Sequence, residues 1–112
     1  MTDTSLAAMP ATDMTRAFKA GTLSPVEALG AVLNRLDQVE PMINAFVHVD
    51  RDGAMKAALA AEARYRAGAS LGPLDGVPVS VKDMLLTIGM PTRKGSLTTD
   101  PDAPQDTDAR AV

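Results

Sequence analysis

Residues 72–83 read GPLDGVPVSVKD, a turn-forming half followed by a valine-rich half. The Gly and Pro residues of the first half mark turns. Apolar residues then alternate from Val77 to Val81, a pattern that predicts a strand with Lys82 at its end. Pro78 has no backbone N–H to donate, so it belongs at the start of such a strand or on a strand at the edge of a sheet.

A strongly signalled helix lies upstream, beginning with the sequence SPVE at residues 24–27. Ser24 at the N-cap and Glu27 three residues later form a capping box, and Pro is favoured at the first helical position. Apolar residues then recur with a helical period as far as Val39. Pro41 is expected to end this helix.

Two more helices are predicted from similar start and stop signals. The first begins at Thr12 or Asp13 and runs through Ala20, with Gly21 as its stop. The second begins at Asp50 or Asp52 and runs to about Ala67, with Gly68 as its stop. Residues 43–49 alternate loosely and form either a short strand or an extended connector. The front of the chain is therefore mainly helical.

The back of the chain is irregular. Residues 89–96 are rich in turn formers, residues 100–108 form an acidic loop, and residues 109–112 look like a helix that has just begun. Since a helix normally needs several turns or a packing partner, this ending predicts truncation. We expect one incomplete domain, with a helical front over residues 1–70. Residues 71–112 should then hold the strand with the lysine motif, loops and the start of a truncated helix.

Composition excludes several classes of function. The 112 residues have a formal net charge of -3 and no Cys, which removes disulfides, thiolate metal sites and Cys nucleophiles. The single His48 leaves no cluster for a metal, and scattered basic residues argue against nucleic-acid binding. Neither a membrane span nor a secretory signal is present. We expect a cytoplasmic protein without a cofactor or a metal.

Lys82 is the candidate catalytic residue. Burial at the end of a Val-rich strand disfavours the charged ammonium, and a neutral amine accepts a proton from a neighbouring hydroxyl. Ser–Lys sites activate a nucleophile in this way. The alternative is a lysine that reaches into solvent beside Asp83.

Four nearby polar residues have weaker claims to a role. Ser80 shares a strand face with Lys82. Asp83 either orients Lys82 or binds backbone amides of the following turn. Thr92 either lines a pocket or bonds to its own backbone, and Ser96 caps or shapes a Gly-Ser turn.

Residues 72–83, with GMPT at residues 89–92 and Gly95-Ser96, closely resemble the signature of the amidase-signature family. That signature reads G-P-L-x-G-V-P-x-x-V-K-D, followed by G-x-P-T-x-x-G-S. The helices and the sequence INAF at residues 43–46 are also similar to the opening of the family. The resemblance extends from about residue 12 to residue 112.

The resemblance implies an α/β fold, of which this chain is the N-terminal part: a helical front and then the first strands of a mixed sheet. It also implies hydrolysis of amide carbon–nitrogen bonds by a Ser–cis-Ser–Lys triad through an acyl-enzyme, with Lys82 as the base. Both serines and the loop that forms the oxyanion hole lie downstream of the lysine in the family. No matching stretch follows Lys82 here, so the chain alone is expected to be inactive.

The implied partners are a small-molecule amide substrate and the remainder of the amidase chain, with a homodimer left open. Met84 and the pair Arg93-Lys94 depart from the common pattern and bear on the substrate. The motif agrees both with a free amidase and with the A-type subunit of a glutamyl-tRNA amidotransferase. A non-catalytic binding module, or a complex whose other chain carries the serines, are the remaining alternatives.

Overall fold

A computed structural model describes residues 2–112, apart from the side chain of residue 3. It contains four helices: α1 (Asp3–Ala7), α2 (Ala11–Ala20), α3 (Pro25–Ile43) and α4 (Arg51–Arg66). The chain divides into two compact units. The helical unit runs up to Asn44 and continues over Arg51–Pro78. The loop unit combines Ala45–Asp50 with Val79–Val112.

Helix α3 begins with the predicted capping box. The Ser24 hydroxyl accepts the Glu27 N–H at 3.0 Å, and the Glu27 carboxylate accepts the Ser24 N–H at 3.3 Å. Each side chain thus satisfies an amide that has no partner inside the helix. Pro25 occupies the first helical position and is fully buried.

The end of α3 differs from the prediction, because the helix continues through Pro41 to Ile43. Proline removes one N–H from the helix but leaves the later N–H groups free to bond. Asn44, in the left-handed conformation with φ 45°, donates its N–H to the Glu40 carbonyl at 2.8 Å and ends the helix. Pro41 therefore lies in the last turn and does not stop the helix.

The other predicted helices are present with small shifts. Helix α2 begins at Ala11, slightly earlier than predicted, and its N-cap residue Pro10 makes no side-chain hydrogen bond. The helix is ended by Gly21 in the left-handed conformation. Helix α4 matches its predicted bounds. Helix α1 was not predicted; its N-cap is Thr2, whose hydroxyl accepts the Ser5 N–H at 3.3 Å.

The core of the helical unit is formed by Met14, Phe18, Leu23 and Ala28. Helices α1 and α4 both pack on α3, and α2 packs on α4. Phe18 and Tyr65 contribute a tilted ring pair with centroids 5.4 Å apart. Small residues let the helices approach closely, and the buried positions of this kind are Ala28, Ala31, Ala58 and Ala61.

The turn at residues 70–78 is attached to α4 by a partly buried ion pair. Arg64 donates to both carboxylate oxygens of Asp75, at 2.9 Å from Nε and 2.5 Å from Nη2. The Tyr65 hydroxyl donates to the Asp75 carbonyl at 2.7 Å. Val77 then packs against the helical core. Three groups therefore fix this turn before the chain reaches the predicted strand.

The strand predicted over residues 77–82 is not formed. The described residues contain no β-strand, and their only β-bridge joins Thr87 and Met90. A strand needs a neighbour to pair its N–H and C=O groups, and residues 77–82 have none. The described part of the chain therefore provides the helical front of the predicted α/β fold, but not its sheet. Residues 43–49 also contain no strand: the end of α3 is followed by irregular backbone.

The loop unit is held together by hydrogen bonds. Ala109 N–H donates to the Leu86 carbonyl at 2.9 Å, and Ile88 N–H donates to the Asp108 carboxylate at 2.7 Å.

Residues 110–111 form a turn, not the predicted helix. Residues 45–50 and 79–112 are all described, and none of them is buried. No helix within residues 2–112 is long and apolar enough to cross a membrane.

Candidate active site

The loop unit contains a cleft of about 770 Å³. Its walls come from three segments, at residues 45–48, 80–84 and 87–95. A volume of this size lies within the range of pockets that bind small molecules. Lys82, Ser80 and Asp83 all line the cleft, so three of the residues singled out in the sequence lie together.

Lys82 lies at the start of a tight turn. Its carbonyl accepts the N–H groups of Met84 at 2.7 Å and Leu85 at 3.0 Å. The Lys82 side chain is exposed. The desolvation expected at the end of a buried strand is therefore absent, because the strand itself is absent.

Asp83 joins the lysine turn to the loop at residues 93–94. Its Oδ1 accepts the Arg93 N–H at 2.8 Å, and its main-chain carbonyl accepts the Lys94 N–H at 3.2 Å. The other carboxylate oxygen, Oδ2, is buried without a hydrogen-bond partner. Buried polar atoms usually have a partner, so this oxygen carries a desolvation cost.

Ser80 and Lys82 line the same cleft, and both residues are exposed. Ser96 lies outside the cleft lining. Its hydroxyl is 2.7 Å from that of Thr98 and accepts the Thr98 N–H at 3.2 Å. Thr92 is half-buried and does not line the cleft.

Two basic residues in the cleft were not predicted as site residues: His48 and Lys94. His48 lies shortly after α3, far from Lys82 in the sequence. No local sequence pattern indicates that these two residues share a site. Lys94 had one signal, since it departs from the small residue common at its place in the amidase signature. Its backbone is left-handed, with φ 54°.

Much of the rest of the lining is apolar and includes Phe46, Val47, Val81, Met84 and Met90. Within residues 2–112, no group of His, Asp and Glu side chains is arranged to hold a metal ion. The cleft thus combines basic side chains with an apolar surface. Such a site suits an organic molecule with a polar end.

Comparison with known proteins gives the family. The amidase family model matches residues 27–112, which include the whole cleft and the lysine turn. The chain belongs to the amidase family. The resemblance found in residues 72–83 is thereby confirmed, and the match also includes nearly all of α3 and the whole of α4.

Curated amidase-family relatives are similar over most of this chain. The A subunit of a glutamyl-tRNA(Gln) amidotransferase from Chloroflexus aurantiacus is 48% identical over 80 residues, covering 71% of this chain and 16% of the relative. The protein of the same name from Salinispora arenicola is 45% identical over 93 residues, covering 83% of this chain and 19% of the relative. No solved structure is significantly similar to the chain.

A third relative with that name, from Streptomyces avermitilis, is 40% identical over 98 residues, covering 86% of this chain and 20% of the relative. The matched stretch thus spans only 16–20% of the length of these three relatives. Family membership rests on the matched residues. The matches assign no counterpart in these 112 residues to the rest of each relative.

Proposed function

We propose that this chain supplies the catalytic lysine of an enzyme that acts on amide carbon–nitrogen bonds. The observation that carries the proposal is the position of Lys82 in a cleft of about 770 Å³, inside the region that matches the amidase family. A lysine at the wall of a ligand-sized cleft is open to a substrate and to a neighbouring hydroxyl.

In the proposed reaction, the Lys82 amine accepts a proton through one serine from a second serine, and the second serine attacks the amide carbonyl. Lys82 returns that proton to the amide nitrogen, the carbon–nitrogen bond breaks, ammonia or an amine leaves, and the acyl group remains on the second serine. Water or another acceptor then attacks the acyl group, and its proton passes by the same route to restore the serine hydroxyl. Backbone N–H groups would stabilise the oxyanion.

Both serines would come from polypeptide that is not among these residues. Ser96 is the only serine after Lys82, and its hydroxyl is engaged with Thr98. Ser80 precedes the lysine and has no oxyanion-forming loop beside it in the sequence. We therefore expect the 112-residue chain alone to be inactive. The proposed location of the complete enzyme is the cytoplasm.

A narrower candidate is the A-type subunit of a tRNA-dependent amidotransferase. Its support is the name shared by three relatives that are 40–48% identical to this chain. In that case the ammonia released at the Lys82 site would pass to a partner subunit for transfer. A free amidase would release the ammonia to solvent.

The test exchanges matching residues between this chain and a relative. The stretch of the Salinispora arenicola protein that matches this chain is replaced by the residues of this chain, and ammonia release from simple carboxamides is measured. We expect activity in the hybrid and none in the 112-residue chain alone. Lys82→Ala in the hybrid should abolish turnover, whereas Lys56→Ala, on the exposed surface of α4, should retain it.

Full activity of the Lys82→Ala hybrid would refute the catalytic role of the lysine. Ammonia release by the 112-residue chain alone would refute the requirement for further serines. A hybrid that folds but never releases ammonia would favour the alternative of a binding module. If activity appears only with the partner subunits present, the amidotransferase candidate gains support over the free amidase.

A further inference from the structure

The cleft contains a second lysine besides the proposed base. Its lining includes Lys94 as well as Lys82, whereas the whole chain has a formal net charge of -3. Asp83 is the only acidic residue of the lining. Its carboxylate already accepts the Arg93 N–H through Oδ1, and Oδ2 is buried. The open surface of the cleft is therefore basic.

The backbone at Lys94 adopts a conformation that disfavours a side chain. Its φ of 54° lies in the left-handed region, where residues with a Cβ are strained and Gly is favoured. Gly95 follows with φ 65°. Strained backbone conformations cluster at active sites and ligand-binding sites, where the strained residue has a role in function. A lysine at this place in the cleft thus calls for a functional reason.

The loop around Lys94 is held beside the lysine turn. The Lys94 N–H donates to the Asp83 carbonyl at 3.2 Å, so Lys94 meets the residue that directly follows Lys82. On the other side, Arg93 Nε donates to the Thr99 hydroxyl at 3.2 Å, and that hydroxyl donates to the Arg93 carbonyl at 3.0 Å. These contacts fix the starting point of the Lys94 side chain near the proposed reaction centre.

We propose that Lys94 is a specificity-determining residue that binds a compact anionic group on the amide substrate. This inference rests on the proposed function, in which the amide itself lies at Lys82. The ammonium of Lys94 is a point charge with three donors and pairs with a carboxylate or a phosphate. His48 supplies a further polar contact at the same cleft.

The substrate class follows from the place of the two lysines on the cleft wall. The Lys94 N–H donates to the carbonyl of Asp83, the residue after Lys82, so the backbones from which the two side chains extend are neighbours. A substrate with its amide at Lys82 and an anionic group at Lys94 therefore needs only a short spacer between them. Apolar side chains such as Phe46, Val81 and Met90 then contact the carbon chain of that spacer. A short-chain dicarboxylic acid monoamide has this arrangement of groups.

The test measures binding without turnover, on the 112-residue chain. Succinamate, which carries a carboxylate and an amide, is titrated against succinamide, its neutral analogue, and backbone NMR shifts are followed. We expect succinamate to bind about tenfold more tightly, as one charge-assisted contact provides. The largest shifts should occur at residues 82–84 and 93–95.

Lys94→Gly and Lys94→Gln should each remove this preference for succinamate. Lys94→Gly also relieves the left-handed strain, so the backbone NMR shifts of the loop unit away from residues 93–95 should match those of the unchanged chain, which excludes misfolding of the cleft as the cause. Lys56→Gln on α4 is the matched control and should retain the preference.

Equal affinity for succinamate and succinamide would overturn the proposal, and so would a preference that survives Lys94→Gly. Inorganic phosphate is titrated in parallel. If the chain binds phosphate but does not bind succinamate, the proposed role of Lys94 in substrate selection is also overturned. None of these results depends on turnover, so the assignment of Lys82 is tested separately by the hybrid enzyme.

Discussion

Asp75 connects the turn at residues 70–78 to α4 through its side chain, which is only 6% exposed. Its carboxylate accepts two hydrogen bonds from Arg64 and one from the Leu71 N–H at 3.1 Å. The hydrogen bond from Arg64 lowers the pKa of Asp75 below its ordinary value, with a smaller lowering from Leu71, and together they outweigh the opposite effect of burial. The same contact raises the pKa of Arg64.

This shift makes the stability of the helical unit depend on pH. Because the folded protein holds the Asp75 proton less tightly than the unfolded chain, the carboxylate stabilises the fold above its unfolded pKa. That contribution is lost as pH falls through the lower folded pKa. Asp75→Asn should therefore lower the melting temperature at neutral pH and flatten the decline of the melting temperature in acid. Calorimetry between neutral and strongly acidic pH measures both effects.

The control for that experiment is Asp13→Asn. Asp13 forms an exposed ion pair with Arg16 at 3.1 Å within α2, and such pairs contribute little. If the melting temperature falls with pH along the same curve in Asp75→Asn and in the unchanged chain, the ion pair between Asp75 and Arg64 does not control stability in acid.

Gly76 is required both by its backbone and by its surroundings. Its φ is 82°, and a Cβ at this position would lie 2.8 Å from Cγ of the fully buried Pro25. Gly68 has a similar φ of 67° but nothing within 4 Å of the same position. Both should lose stability on change to Ala because of the left-handed backbone.

The difference between Gly76→Ala and Gly68→Ala isolates the steric contact. We expect Gly76→Ala to lower the free energy of unfolding by about 1–3 kcal/mol more than Gly68→Ala, since overpacking a closely packed site has this cost. Urea unfolding followed by circular dichroism gives both values. Equal losses in the two variants would mean that Pro25 moves aside without cost.

At the scale of the element, α3 depends on its two ends. The capping box at Ser24 satisfies amides at the start, and Asn44 satisfies a carbonyl at the end. Ser24→Ala should lower the free energy of unfolding by about 1 kcal/mol, because the side-chain acceptor for the Glu27 N–H is lost. Ser24→Asp keeps an acceptor and should remain near the stability of the unchanged chain in the same urea titration.

Pro41 illustrates why helix ends are difficult to predict. Proline within a helix removes one hydrogen bond and is usually a stop signal. In α3 only two helical residues follow it, and the Asn44 N–H reaches the Glu40 carbonyl directly. An ion pair between Asp37 and Arg51 also joins α3 to α4 near this end. Because Pro41 lies so close to the end of the helix, the hydrogen bond that it removes does not prevent the last turn from forming.

At the scale of the whole molecule, the buried hydrophobic side chains found among the described residues all belong to the helical unit. Phe18 is 3% exposed at the centre of that core, whereas Leu97 of the loop unit is 97% exposed. Phe18→Ala should reduce the free energy of unfolding by about 3–5 kcal/mol, which removes most of the stability of a small domain. Leu97→Ala should leave it unchanged. Thermal unfolding followed by circular dichroism at the helix signal compares the two.

The loop unit has hydrogen bonds but no buried residue within residues 45–50 and 79–112. Hydrogen bonds exposed to water open with little free energy. Amide hydrogen exchange should therefore be slow in α3 and α4 and fast at Ile88 and Arg93. Slow exchange at those two amides would contradict this division of stability.

Local signals in the sequence predicted α2, α3, α4 and the family, but not α1. The capping box, the glycines after α2 and α4 and the helical periods act within a few residues, so no distant contact is needed for their effect. The sequence also placed Lys82 among the candidate catalytic residues, since its neighbours in residues 72–83 carry the motif.

The strand and the cleft were beyond the reach of such signals. A strand forms only where a second segment pairs with its backbone, and residues 77–82 find none in this chain. The cleft brings residues 45–48 next to Lys82, and hydrogen bonds such as that between Arg93 and Asp83 position Lys94 beside them. Contacts between residues far apart in the chain depend on how the whole backbone packs, which local sequence does not encode.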